Sequence, residues 1–180
     1  SVVHHVSGSG AVLEAVFPTG MPAPDRLEEG WSDLRTRLWA ATTLHPSTND
    51  YVYYGNLRGQ GAGLKRLHDH AAELRIKTES TAHRRYFRLE QIDGEEQFLF
   101  TEKGLFDPRT RPWFQQAQAS PSHTWTSVYI DFSAHDLVVT RARRVLDTRG
   151  EFQGVVATDV SLLALNRFVN ELGNSVQGRA

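Results

Sequence analysis

Between Tyr51 and Thr158 the chain reads as one β-forming segment after another, separated by short turn signals, with helical periodicity confined to either end. Tyr51-Val-Tyr-Tyr-Gly is dense in β-formers. Asn56-Leu-Arg-Gly59 is a turn, and Gln60–Leu67 returns from it as a second strand. Arg84–Ile92 alternates, with Tyr86, Arg88 and Glu90 on one face and Phe87, Leu89 and Gln91 on the other. Asp93-Gly94 is a strong hairpin turn, and Glu95–Phe100 comes back from it. Trp125–Phe132, Leu137–Leu146 and Phe152–Thr158 read as further strands, the last two joined at Asp147–Gly150. His68–Ala82 is more polar and shows no clear period. About six strands joined mostly by hairpins predict an antiparallel sheet.

The helical segments lie outside this run. Ala11–Phe17 reads as the tail of a helix stopped by Pro18 and Gly20. Asp25 and Glu28 have capping-box spacing, and Leu27, Trp31, Leu34, Leu38 and Ala41 recur at helical intervals, so a helix is expected over Asp25–Leu44. Pro112–Gln118 reads as a short helix, with proline at its first position. Ser161 is expected to cap a last helix with Leu162, Leu165, Phe168, Val169 and Leu172 as its buried stripe. Helices segregated to the ends of an antiparallel sheet define an α+β fold.

Composition narrows the function classes. The 180 residues suit one ordinary domain, and 39% hydrophobic content suits a globular one. Twenty Lys and Arg against 21 Asp and Glu leave a net charge of −1, which excludes a strong global pull toward nucleic acid or anionic membrane. The chain has no cysteine, so disulfides, thiolate metal sites and a Cys nucleophile are excluded. It has no apolar run of spanning length. The start lacks a signal peptide's charged and apolar regions, and its first residue is Ser, so the sequence reads as an excised fragment.

Chemistry-bearing motifs are few. Gly59-Gln-Gly61-Ala-Gly63 sits inside a hairpin rather than between a strand and a helix, which argues against a phosphate loop. His68-Asp69-His70 offers two imidazoles and a carboxylate but no third ligand by spacing, so a solvated loop is the expectation; His4-His5 is read the same way. No nucleophile elbow lies outside the start and no His-Glu-x-x-His exists, so no catalysis, metal or cofactor is expected.

The block Phe106-Asp-Pro-Arg-Thr-Arg-Pro-Trp-Phe114 is the most unusual. Arginine grips a carboxylate through a planar fork, aromatic faces wall off a pocket and attract cations, and prolines fix the loop. A carboxylate elsewhere, such as Asp131 or Asp159, could take an ammonium, giving a box for a small zwitterion or amine. A bland alternative is a surface loop whose aromatics plug the core.

That block, followed by Trp125-Thr-Ser-Val-Tyr-Ile-Asp-Phe, Val139-Thr-Arg-Ala-Arg-Arg-Val-Leu-Asp and Gly154-Val-Val-Ala-Thr-Asp-Val-Ser-Leu, resembles in order and spacing the double Cache (PAS-like) sensor domains. These are extracytoplasmic domains of bacterial chemoreceptors, histidine kinases and nucleotide cyclases. The resemblance runs from about Asp25 to Leu172 and implies the membrane-distal, ligand-binding module, a PAS-like curved antiparallel sheet flanked by an N-terminal and a C-terminal helix. On that likeness residues 1–24 are the end of a helix plus a connector, 25–172 the sensor module, and 173–180 the start of a second module or linker.

Carried over residue by residue, Arg111 and Trp113 face a ligand carboxylate, while Tyr129 and Asp159 face its ammonium. Asp131, Phe106 and Phe114 complete the expected ligand-binding set. Phe106 and Phe114 stand where the amino-acid-binding branch has tyrosines, keeping the ring and losing the hydroxyl. Each lost hydrogen bond to a buried partner is worth about 1–3 kcal/mol. Arg109 is expected to be structural, paired with a nearby carboxylate. The resemblance implies a periplasmic domain of an inner-membrane receptor that binds an amino acid, amine or carboxylate, with membrane contact through flanking segments, a homodimer, and a kinase, cyclase (including diguanylate cyclase) or chemotaxis output. The other reading is a structural or dimerisation domain with a vestigial pocket.

Overall fold

The computed structural model describes residues 2–177; for residues 2–7, 164, 165, 168, 169 and 175–177 it describes the backbone alone. Helix α1 spans Val2–Val16 and α2 spans Trp31–Thr42. Strands β1 (Tyr51–Asn56), β2 (Gly61–Arg66), β3 (Ala72–Lys77), β4 (Arg85–Leu89) and β5 (Gln97–Thr101) follow. Helix α3 is Pro112–Gln118. After it come β6 (Thr124–Trp125), β7 (Tyr129–Ile130), β8 (Leu137–Leu146), β9 (Phe152–Ser161) and helix α4 (Leu162–Gln177). The α+β class read from the sequence is the class observed.

All strands join one antiparallel sheet in the order β5-β4-β3-β2-β1-β9-β8-β6, with β7 also on β8. Strand β1 therefore pairs with β2 on one side and with β9, about a hundred residues later, on the other. Every residue of β1 is buried, because the sheet is covered on both faces. On one face α1 and α2 pack Leu13, Phe17, Leu34 and Leu38 onto Val52, Leu64 and Val156. On the other, Trp113, Phe114 and Ala117 of α3 pack onto Tyr53, Ala142, Val155 and Ala157.

Glycines set the close approaches. A Cβ at Gly63 would sit 2.6 Å from the Tyr51 hydroxyl, so glycine lets that ring lie across β2. The glycine-rich stretch is thus part of the β1–β2 hairpin, as its context implied. Gly59 takes φ 78° in the turn, where Asn56 Oδ1 accepts from the Arg58 and Gln60 amides. In α1, Gly8 leaves room for the His45 ring and Gly10 for the Arg141 guanidinium.

Several elements differ from the sequence reading. Helix α1 starts at Val2 and is longer than the tail expected over Ala11–Phe17. Helix α2 starts at Trp31 rather than Asp25, because Gly30 (φ 155°) breaks the backbone and the capping box does not form. Asp25 instead pairs with Arg58, and Glu28 accepts from Gln60 Nε2 at 3.0 Å. Strand β3 lies within the stretch left without a period. Residues 90–96 form a longer connection than an Asp93-Gly94 hairpin, because Glu96 turns to α2 and accepts from Trp31 Nε1 at 3.0 Å and Arg35 Nη1 at 2.8 Å. The strand expected over Trp125–Phe132 is broken into β6 and β7. Ser161 ends β9, paired with Val138, and directly precedes α4. Leu172 is exposed; Leu165, Phe168 and Val169 of the expected stripe lie outside the described side chains, as do His4 and His5. His68-Asp69-His70 is a turn whose Asp69 pairs with Arg88, and no metal cluster occurs among the described residues.

Candidate functional site

The α3 face of the sheet carries a chain of buried hydroxyls ending on a carboxylate. Asp159 on β9 lies opposite Thr140 on β8, and Tyr53 on β1 is paired with Ala157, two residues before it. With a period of two, Tyr53 and Asp159 point to one face. The Tyr53 hydroxyl donates to Asp159 Oδ1, and Thr140 Oγ1 donates to the same oxygen at 2.7 Å. Having spent its hydrogen there, Thr140 accepts from the Tyr129 hydroxyl at 2.6 Å. These donors favour the carboxylate, but burial outweighs them and raises Asp159 to about 7. The nearby Asp131 charge acts in the same direction and Arg75 against it.

Arg111 and Trp113 reach this face through the proline-braced loop. Asp107 caps the 3₁₀ turn Pro108–Thr110 through the Arg109 amide and grips the Arg109 side chain at 2.9 and 3.0 Å. Arg109 is therefore paired with a carboxylate two residues away. Pro112 starts α3, leaving Arg111 at its N-terminus with Nη2 donating to the Ile130 carbonyl at 3.1 Å. The Arg111 guanidinium sits 5.7 Å from both the Tyr129 and Phe132 rings. Trp113 is buried and meets Tyr53 edge-on at 4.8 Å. Gly55 makes the contact feasible: a Cβ there would lie 2.6 Å from Pro108 Cβ and 3.0 Å from Trp113 Cη2.

Between β7 and β8 the segment 131–136 folds over the site. Asp131 Oδ2 accepts from the Ser133 and Ala134 amides at 3.0 and 2.7 Å, and the Asp131 amide donates to the Asp136 carbonyl at 2.8 Å. This local bonding by an Asp side chain ends the expected strand at Ile130, short of Phe132. Phe132 then packs edge-on against Phe106 at 5.3 Å.

Arg111, Trp113, Tyr129, Phe106 and Asp131 all line one hollow with Tyr53 and Arg84. Its volume of about 20 Å³ holds about one water. Asp159 bonds to Tyr53, one wall of this hollow, and reaches Tyr129, another, through Thr140. Asp159 itself faces an adjoining cavity of about 410 Å³ shared with Asp131, Arg75 and Ser161. Phe114 is not brought to the hollow; its ring packs against Phe152 at 5.7 Å in the core. Sequence reasoning passed over Tyr51, Tyr53, Arg75, Arg84, Phe132 and Ser133. The alternation of Tyr51 and Tyr53 on one face was a readable signal. The burial of Arg75 and Arg84 was not, since it depends on partners from other strands.

A central antiparallel sheet, α1 and α2 on one face, and α3 with a walled polar hollow on the other define a PAS-like fold. Residues 68–167, more than half the chain, match the model of the methyl-accepting chemotaxis protein-like first PDC sensor domain. The chain belongs to that family. Its relatives include the methyl-accepting chemotaxis protein McpC of Bacillus subtilis, 28% identical over 109 residues that make up 60% of this chain and 15% of McpC. Another is PscA of Pseudomonas syringae pv. tomato, 35% identical over 75 residues, 42% of this chain and 12% of PscA. The chain thus spans a small fraction of these relatives. Among solved structures, the ligand-binding domain of the Pseudomonas aeruginosa amino acid chemoreceptor PctC in complex with GABA has a TM-score of 0.60 at 17% identity, covering 95% of this chain and 64% of that one. The ligand-binding domain of Pseudomonas fluorescens CtaA in complex with L-valine has a TM-score of 0.51 at 20% identity, covering 91% of this chain and 54% of that one. The likeness to these structures is one of fold. Sensor domains of this family bind ligands and are not enzymes.

Proposed function

We propose that this chain is the ligand-binding module of a chemoreceptor-type membrane receptor, displayed outside the cytoplasm, and that it binds a small zwitterion of amino-acid type. Arg111 and Trp113 take the carboxylate; Asp159, with Tyr53 and Tyr129, takes the ammonium. The observation that carries this reading is the hydroxyl-bonded, buried Asp159 beside an arginine–aromatic wall. A cation next to Asp159 offsets the cost that burial places on its charge. Three of the curated relatives are named chemotaxis proteins of Pseudomonas, and PctC and CtaA are solved with GABA and L-valine. Those names favour a chemotaxis output over a kinase or cyclase.

Binding is coupled to signalling only if open and closed forms bind the ligand unequally. The 131–136 segment is the element placed to differ between them, because its side chains cover the hollow while its backbone is held mainly by its own turn. Thermal denaturation with a panel of amino acids, amines and small carboxylates tests the proposal. A ligand at about 100 times its dissociation constant adds roughly 2.7 kcal/mol, a rise of a few degrees for this chain. Arg111→Ala and Asp159→Ala abolish the rise. A panel with no active compound favours the structural-domain reading instead.

A further inference from the structure

We infer that Arg75 and Arg84 form a second oxyanion subsite beside this pocket, held in the present structure by Ser133, and that the ligand is an amino acid carrying a second carboxylate. The inference rests on the amino-acid reading of the pocket and extends it to the far end of the ligand.

Two guanidiniums aim at one neutral oxygen. Ser133 Oγ accepts from Arg84 Nη2 at 2.7 Å and from Arg75 Nη1 at 3.4 Å, with the Tyr86 hydroxyl 3.1 Å away. Arg84 is fixed by Glu102 at 2.9 and 3.0 Å. Arg75 is fixed by Glu73 through Nε at 3.1 Å and by the rings of Tyr51 and Tyr86, 4.5 and 5.1 Å from its guanidinium carbon. Both arginines are buried and cannot swing away to water. Among the described residues the remaining Arg75 N–H groups have Ser133 as their one hydrogen-bond partner, a neutral hydroxyl where guanidinium geometry suits a carboxylate.

The two spaces share a wall. Arg75, Asp131 and Ala134 border both the 410 Å³ cavity that holds Asp159 and an outer cleft of about 960 Å³ that reaches Arg111. Segment 131–136 is the partition between them. Withdrawing Ser133 joins the Asp159 end to the two arginines, so a ligand oxyanion replaces the hydroxyl as the segment moves.

Calorimetric titration of the whole chain with L-glutamate, its uncharged isostere L-glutamine, and glutarate tests this. Glutamate is expected to bind at least tenfold more tightly than glutamine. Arg75→Gln abolishes the preference, so that glutamate and glutamine bind the variant alike. Ser133→Ala, a change in a surface segment that spares the core, tightens glutamate severalfold because the competing hydroxyl is gone. Equal affinity for glutamate and glutamine, or a Ser133→Ala variant that weakens both alike, overturns the subsite while the amino-acid pocket stands. Glutarate binding that depends on Arg75, with no amino acid bound, supports the subsite and overturns the zwitterion pocket. Silence with all three probes overturns the subsite; the pocket then rests on the wider amino-acid panel.

Discussion

Tyr53 on β1 and Asp159 on β9, 106 positions apart in the chain, share a buried hydrogen bond in which the phenol donates to the carboxylate. The bond ties the two central strands together on the ligand face and favours the charged form of Asp159 against the burial that raises it. Its consequences can be read in pH.

Asp159 is raised by burial from 3.8 to about 7. Between those values the folded chain holds a proton that the unfolded chain has released. Stability therefore falls as pH rises through that window, by up to ~1.4 kcal/mol per unit, and levels off above pH 7. Asp159→Asn removes this slope, so its stability relative to the parent is expected to increase from pH 5 to pH 8. Urea midpoints at the two pH values check it. Asp50, also raised by burial, contributes in the same sense and remains in the variant.

Gly55→Ala places a methyl group against Pro108 and Trp113. The contact is with a ring and an indole packed under α3, which cannot yield cheaply. The expected cost is about 1–3 kcal/mol, with a shift in Trp emission as the indole is displaced. Chemical denaturation followed by fluorescence reads both.

Glu102→Gln leaves Arg84, whose side chain is 6% exposed, without a counter-charge. Breaking one side of a buried pair costs about 3–5 kcal/mol. Arg109→Ala breaks the pair with Asp107 at the surface, where the arginine side chain is 39% exposed, and is expected to cost less than about 1 kcal/mol with ligand affinity unchanged. The contrast in melting temperature between the two variants separates the buried arginine from the exposed one.

The parts of this molecule written in local pattern were legible. Leu137–Leu146 alternates and is β8; Pro112 opens α3; the hairpin at Asn56–Gly59 follows from its turn residues. Strand β3 was hidden because its buried Arg75 and Lys77 read as surface residues. Lys77 is fully buried because the Ser80 and Ala82 carbonyls accept from its ammonium at 3.1 Å and by a second short bond. The break between β6 and β7 was hidden because Thr126-Ser-Val128 reads as a continuation of the strand. In the site, Arg111, Trp113, Tyr129 and Asp159 were reachable through the order of their motif blocks. Tyr53, Arg75, Arg84 and Ser133 were not, because each acquires its role from a partner on a distant strand or loop that only the register brings near.

The account turns on Asp159 meeting the ligand's ammonium as a carboxylate, and the pH dependence of affinity tests that most directly. With the amino acid that gives the largest thermal shift, titrations from pH 5 to pH 8 are expected to show affinity climbing about tenfold per unit below pH 7 and reaching a plateau above it, while Asp159→Asn binds weakly with no such climb. A flat profile for the parent chain, or a variant that binds as tightly as the parent, contradicts it.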